Sequence, residues 1–151
     1  MSIFLVQHGV SLSKAEDPEK GVSDQGREET RRIAQVAGNY QIRVARILHS
    51  GKKRARQTAE IFQDMLKPEI YMDIRDGMMP MDDVKAFGNN LDPDSGQMFV
   101  GHLPFMEKLV SYLTADREEP RVLKFQNSGI VCMDRDEKGW FIKWTLNPNI
   151  S

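Results

Sequence analysis

The sequence predicts an α/β fold: a single-domain three-layer sandwich with a mostly parallel central sheet flanked by helices, and C-terminal strands paired as a hairpin. Three observations carry that expectation. Short apolar runs at Ile3-Phe4-Leu5-Val6 and Met98-Phe99-Val100 end in polar or glycine residues, as buried strands do. Stretches with apolar residues at helical spacing alternate with these and other strand-like runs, the pattern of helices laid over a sheet. The last third holds two strand-like runs around a polar turn. With 151 residues there is material for one well-buried core and too little for two ordinary domains, so residues 1–151 are read as one domain.

The elements follow in order. After the Ile3–Val6 strand comes a polar loop from Ser11 to Gly21 that contains Pro18. Ser23 suits a helix N-cap, with Asp24 and Gln25 in the first turn, where the helix dipole favours negative or polar groups. That helix is expected to run to about Asn39 and to bury Ile33, Ala34, Val36 and Ala37. Val44 to Leu48 reads as a second strand, leading through His49-Ser50-Gly51 into a helix over Lys52 to Met65. Ala55, Ala59, Phe62 and Met65 share one face of that helix. Glu69 to Met72 suggests a short strand, and Met81 to Phe87 a short helix inside a loop-like segment rich in Asn-Asn, Asp-Pro-Asp and Ser-Gly. The Met98 strand feeds a helix opening at Pro104, an allowed first-turn proline, with Phe105, Leu109, Val110 and Leu113 buried. Gly129 to Met133 and Trp140 to Leu146 form the hairpin, joined by a turn over Asp134 to Gly139.

Composition narrows the function classes. Apolar residues make up 40% and charged residues 28%, with a net charge of −1, so no global charge points to nucleic acid or an anionic membrane. A single cysteine, Cys132, excludes an internal disulfide and a cysteine-based zinc cluster; its apolar setting reads as core. No apolar run approaches the roughly 20 residues of a membrane span, and the N-terminus shows no basic region followed by an apolar signal segment. A soluble cytoplasmic protein is expected. Nothing in the pattern fixes an oligomeric state.

The chemistry concentrates in three places. Gln7-His8-Gly9 follows the first strand and Gly101-His102-Leu103-Pro104 follows the Met98 strand; two of the chain's three histidines therefore sit beside glycine at strand ends. Ligands of open α/β sheets bind outside the C-terminal ends of the strands, where both histidines would arrive. The third place is Ser50 to Thr58, which follows a strand and opens a helix, a position that favours an anion. Arg54 and Thr58 share a helix face, as do Lys53 and Gln57; Arg54 can reach the sheet edge while Lys52 and Arg56 stay in solvent. Two histidines with an arginine, lacking metal-ligand spacing, suit phosphoryl transfer with no metal and no cofactor. A neutral imidazole is a good nucleophile toward phosphorus, and the other groups neutralise charge on the phosphoryl oxygens. A histidine-only zinc site would require His49 as third ligand, but His49 precedes the anion loop rather than facing it.

At these residues the sequence resembles the histidine phosphatase (phosphoglycerate mutase-like) superfamily, and most closely its short, single-domain SixA-type phosphohistidine phosphatase branch. Gln7-His8-Gly9 stands where that family has Arg-His-Gly. Val22 to Arg27 resembles its Leu-Ser/Thr-x-x-Gly helix start. Ser50 to Ala59 resembles its Ser-Pro-x-x-Arg-Ala-x-Gln-Thr-Ala motif with Gly51 in place of proline, and Gly101 to Pro104 its Gly-His-x-Pro signature. The resemblance spans nearly the whole chain. It implies His8 as the phosphorylated nucleophile, Arg54 as a phosphate-binding arginine and His102 as the second histidine, with Gln7 and Gly9 beside the substrate. For the general acid it points to Asp76, with Asp82 and Asp83 as alternatives.

The departure is Gln7, which has no charge and cannot make the bidentate contact of an arginine, a loss of roughly 1.5–3 kcal/mol in phosphate binding. Lys52 and Lys53 are candidates to compensate. Two functions follow as expectations. One is a phosphatase acting on a phosphohistidine-bearing protein or a small phosphorylated substrate; the other is a weak or inactive relative that binds phosphate or a phosphoprotein. The absence of an inserted cap favours a protein substrate, and Met78-Met79-Pro80-Met81 offers either an apolar lip for such a partner or core side chains.

Overall fold

A computed structural model describes residues 1–150 and shows a six-stranded sheet between two layers of helices. The strands are β1 (Ile3–Gln7), β2 (Arg46–His49), β3 (Asp73–Ile74), β4 (Gln97–Gly101), β5 (Ile130–Asp136) and β6 (Gly139–Leu146). The helices are α1 (Asp24–Asn39), α2 (Lys53–Leu66), α3 (Val84–Asn89) and α4 (Phe105–Ala115). Sheet order is β3-β2-β4-β1-β5-β6. The first four strands in that order run parallel, so their C-terminal ends share one edge; β5 is antiparallel to β1, and β6 to β5.

Alternation along β1 divides the core. Ile3 and Leu5 join Phe99, Phe105, Leu109 and Val131 on the α3/α4 side, while Phe4 and Val6 join Ile33, Ile47, Ala59 and Phe62 on the α1/α2 side. Successive strand side chains point to opposite faces, and here both faces are covered, so the strand reads as one unbroken apolar run. Cys132 is buried in the α1/α2-side core as a free thiol.

Several boundaries differ from the sequence reading. The short strand is not Glu69–Met72 but Asp73–Ile74. After α2, Lys67 turns left-handed and the Met72 N–H binds Gln63 Oε1, so the chain regains the sheet edge only at Asp73, opposite Leu48. The hairpin strands extend to Asp136 and Gly139, shortening the expected turn to Glu137 and Lys138, with Gly139 at φ +116°. Val36 and Leu113 are half-buried and Met65 is exposed; Ile61 and Phe62 take the inward positions of the last turns of α2. Of the methionine run, Met78 is fully buried in the core, whereas Met79 and Met81 are exposed.

α1 begins as expected. The Ser23 side chain accepts from the Gly26 N–H, and both its N–H and its hydroxyl donate to the Val10 carbonyl, which fastens the helix start to the chain leaving β1. Gly26 permits that approach: a Cβ there would collide with the Val10 carbonyl oxygen and lie 2.7 Å from Val22 Cγ1. In an ordinary helix interior, Gly→Ala stabilises by up to about 1 kcal/mol. Gly26→Ala should instead destabilise by about 1–3 kcal/mol through overpacking. The expected readout is a lower urea midpoint at unchanged slope, and an unchanged or higher midpoint would refute the close-approach argument.

Candidate active site

The parallel register brings the two histidines together. Gln7 pairs with Gly101 across β1 and β4, so His8 and His102 leave adjacent strands at the same level. Their rings lie 5.2 Å apart, centroid to centroid, and the His8 N–H donates to the Gly101 carbonyl at 3.0 Å. β2, on the other side of β4, ends at His49 opposite Val100 and delivers Ser50 beside His102.

The His8 ring has one fixed end. Its Nδ1 is 2.7 Å from the Gly9 carbonyl oxygen. A carbonyl only accepts, so Nδ1 carries the proton and donates it, and Nε2 keeps a lone pair. Burial pushes the His8 pKa down to about 4; the bond to Gly9 opposes the shift, and the charges of Arg54 and Lys20 add to it. The imidazole is therefore neutral at physiological pH, with Nε2 available for attack.

His102 is almost wholly buried and held from the opposite side. The Ser50 hydroxyl lies 2.6 Å from His102 Nε2, and the Lys52 N–H donates to the same hydroxyl oxygen at 3.4 Å. Nε2 is therefore the ring nitrogen that the protein engages, whichever of the two atoms carries the shared proton. His102 Nδ1 is the one buried side-chain nitrogen or oxygen among the described residues with no hydrogen-bond partner. A buried polar atom left unmatched costs about 1–3 kcal/mol, so it is best understood as facing a ligand. Burial drives His102 down to about 3, helped by His8, Arg54 and Lys52.

α2 forms the cationic side of the site. Thr58, one turn after Arg54, donates its hydroxyl to the Arg54 carbonyl and accepts the Gly9 N–H at 2.8 Å. Arg54 is half-buried; burial lowers its pKa, and its charge is felt by both histidines. It stays ionised, as an arginine does in proteins. Lys53 and Gln57, on the neighbouring face, grip the 11–22 loop: Lys53 Nζ binds Asp17 Oδ2 at 2.8 Å and lies 3.7 Å from Glu19, while Gln57 Oε1 accepts the Val22 N–H. Lys53 is thus committed and does not replace the charge missing at position 7. Arg56 points outward to Glu60.

Among the residues singled out from the sequence, His8, Arg54 and His102 come together, with Gly9 at the hinge between β1 and α2. Gly9 gives its N–H to Thr58 and its carbonyl to His8, so its polar groups orient the His8 ring. A Cβ there would lie 3.0 Å from Thr30 Oγ1 and 3.1 Å from Ser128 Oγ. Gln7 is half-buried, and its carbonyl accepts the Ser128 N–H. Asp76 lies just beyond β3, at the same edge of the sheet. Together with Asp82 and Asp83 it lines an open cleft that includes neither histidine nor Arg54. His49 accepts the Gly51 N–H at Nδ1, and the described residues contain no grouping of three or more metal-ligating side chains.

Sequence reasoning gave no role to Ser50, Asn127 or Ser128. Ser50 was visible as the first residue of the anion loop, next to a histidine-bearing strand. Asn127 Nδ2 donates to the His8 carbonyl and Ser128 bonds Thr30, contacts across more than 95 residues with no local signal.

Comparison with known proteins agrees with this geometry. The family model for the histidine phosphatase superfamily (branch 1) matches residues 3–82. The phosphohistidine phosphatase SixA of Escherichia coli is 26% identical over 155 residues, covering 98% of this chain and 94% of that protein. Among solved structures, the protein histidine phosphatase SixA complexed with tungstate superposes with a TM-score of 0.81 at 23% identity, covering 98% and 97% of the two chains. A putative alpha-ribazole-5'-P phosphatase from Escherichia coli gives 0.77 at 14% identity, covering 100% and 99%, a likeness of fold alone. The chain belongs to the histidine phosphatase superfamily, branch 1. The class of activity that goes with this membership is that of a phosphatase. No helix among the described residues is long and apolar enough to cross a membrane.

The two lowered histidine pKa values make stability depend on pH. An unfolded chain takes up protons at histidine as pH falls through about 6.5, whereas folded His8 and His102 resist until about 4 and 3. Their contribution is complete above pH 6.5 and is lost as pH falls toward 4. Urea unfolding should give lower stability at pH 4.5 than at 7.5, and His102→Asn should flatten the difference. An equal slope in the variant would place the proton uptake elsewhere.

Proposed function

We propose that the chain hydrolyses protein phosphohistidine through a phosphohistidine formed transiently on its own His8. The observation that carries this reading is the pair of histidines on rings 5.2 Å apart: His8 with Nδ1 bound to the Gly9 carbonyl and a free lone pair at Nε2, and buried His102 with an unpartnered Nδ1. His8 Nε2 attacks phosphorus, the bond from phosphorus to the substrate imidazole breaks, and that nitrogen retains the electron pair and takes a proton. Water then attacks the phosphorus on His8 and releases inorganic phosphate, restoring the neutral ring. Arg54, His102 Nδ1 and the Gln7 amide hold the non-bridging oxygens, where charge develops.

A protein substrate is supported by the open surroundings. The chain passes from α2 into β3 without an inserted element that would close over the histidines, and exposed Met79 and Met81 lie in the turn beyond. The matched SixA protein, of nearly the same length, is named a phosphohistidine phosphatase. Binding without turnover is the second reading, and the uncharged Gln7 is the feature that favours it.

His8→Ala should abolish phosphate release from a phosphohistidine-bearing protein while leaving the far-ultraviolet circular dichroism unchanged. Rapid-quench mass spectrometry of the wild type should find an acid-labile phosphoryl adduct on His8, and EDTA should not slow release. Full activity in His8→Ala would defeat the mechanism. Phosphate binding by a wild type that releases none would select the second reading.

Asp76 tests the source of the leaving-group proton. An imidazole leaving group accepts a proton readily near neutral pH, whereas an alkoxide needs help from an acid. With Asp76 in a cleft apart from the histidines, Asp76→Asn should leave phosphohistidine hydrolysis within about twofold and reduce alkyl phosphate hydrolysis by about 10²-fold if it acts as acid. Equal rates on both substrates would remove Asp76 from the mechanism.

A further inference from the structure

Helix α1 turns six buried residues inward: Gly26, Glu29, Thr30, Ile33, Ala34 and Ala37. The other five are small, apolar or hydroxyl-bearing and suit that face; Glu29 is a carboxylate. At 8% exposure it is the one Asp, Glu, Lys or Arg that is buried among the described residues. Such groups are almost never buried unless an opposite charge pairs with them. Among the described residues no cation lies within 4 Å of Glu29. Two amides, Gln25 Nε2 and Asn149 Nδ2, reach its Oε2, both at 3.5 Å, the outer limit of a hydrogen bond. Its Oε1 accepts no hydrogen bond from any described residue.

The carboxylate lines an open cleft of about 490 Å³ between α1 and the loop before β5, whose wall includes Val10, Lys124, Asn127 and Asn149. The cleft starts beside His8. Asn127 Nδ2 donates to the His8 carbonyl at 2.9 Å, and Val10 follows His8 by two residues. Thr30, next to Glu29 on α1, packs against Gly9. The far wall is tied together: the Gln126 side chain exchanges two hydrogen bonds with the Asn149 backbone, and Asn127 makes a bridge to Gln7. Lys124 stands exposed at the rim, beyond 4 Å from Glu29. A buried negative charge thus faces a cleft that opens next to the candidate nucleophile, and nothing in the fold neutralises it.

We propose that this cleft takes the guanidinium or ammonium of an arginine or lysine that the substrate protein carries close to its phosphohistidine, with Glu29 as the counter-ion. The proposal rests on the reading that a protein phosphohistidine reaches His8, and it names a feature by which that protein is chosen. The side-chain amides of Gln25, Asn127 and Asn149 around the carboxylate carry oxygens that suit the remaining donors of a guanidinium. Selection works in both directions. A basic neighbour gains a charge-assisted contact, whereas an acidic one meets a like charge. A small phosphoester has no group to place in the cleft.

The test is a set of phosphohistidine peptides identical but for one arginine, moved residue by residue along both sides of the phosphohistidine. Citrulline in the same places supplies the uncharged match. Phosphate release by the wild type gives kcat/KM for each peptide, and fluorescence anisotropy with the His8→Ala variant gives affinity without turnover. At one position or two adjoining ones, arginine should exceed citrulline by about tenfold or more in both measurements, as a charge-assisted contact to a buried carboxylate gives. Glu29→Gln keeps the shape of the side chain and one acceptor oxygen, and should bring that ratio to within about twofold. Its urea midpoint should not fall, because the fold holds no cation for the carboxylate to lose. A wild type that releases phosphate equally from every peptide would overturn the proposal and leave the catalytic reading standing. An arginine preference that survives in Glu29→Gln would overturn it as well. If arginine raises the affinity of His8→Ala, and Glu29→Gln in that background removes the gain, while the wild type releases no phosphate, the cleft stands and the catalytic reading falls.

Discussion

The hydrogen bond from the Gly9 N–H to Thr58 Oγ1 is the contact on which the site depends. It ties the residue after His8 to the helix that carries Arg54, while the other polar group of Gly9 holds the His8 ring. The same glycine is crowded by Thr30 of α1 and Ser128 of the loop before β5, so α1, α2, β1 and that loop meet around a single Cα. Thr30 and Ser128 bond each other at 2.7 Å and close the fourth side. No larger residue fits without moving one of the four. His8 is therefore positioned by the packing of the fold, and its ring orientation follows from the sheet edge being correctly assembled.

Electrostatics then act on a geometry already fixed. The two histidines sit close together, largely out of water, and near Arg54, conditions that all disfavour the imidazolium. Neutrality gives His8 its lone pair. Each ring has one nitrogen engaged by the protein, the Gly9 carbonyl for one and the Ser50 hydroxyl for the other, which leaves His8 Nε2 and His102 Nδ1 without a partner in the protein. On the proposed function the first bonds phosphorus and the second meets an oxygen on it.

Much of this was legible in the sequence because the relevant signals are local. Ser23 as N-cap, the apolar runs of β1 and β4, and the one-turn spacing of Arg54 and Thr58 each depend on residues within a few positions of one another. The convergence of His8 and His102 followed from a general property of parallel sheets, that strands end on one edge. What escaped was set by distant contacts. β3 slid to Asp73–Ile74 because Gln63 and the αL turn at Lys67 decide where the chain regains the sheet, and a two-residue strand has too little pattern to announce itself. Asn127 and Ser128 serve the site through an isolated bridge between Asn127 and Gln7, which no periodicity encodes. The fate of Lys53 was also hidden, since helical spacing put it beside Gln57 but could not show that both hold a loop 35 and 36 residues earlier in the chain.

On the proposed function, Gln7 weighs differently on large and small substrates. An arginine at a strand end is presented by backbone hydrogen-bonded on both sides, and its planar fork binds two oxygens at once with little left to order. A glutamine at the same place offers an uncharged amide. Affinity for free phosphate should therefore be lower than a strand-end arginine would give. A phosphoryl group displayed on a protein brings further contacts of its own, which offset that loss, whereas a small phosphoester brings few. On that reading Gln7 tilts the site away from small substrates by weakening what they depend on most, with no wall or cap needed to keep them out.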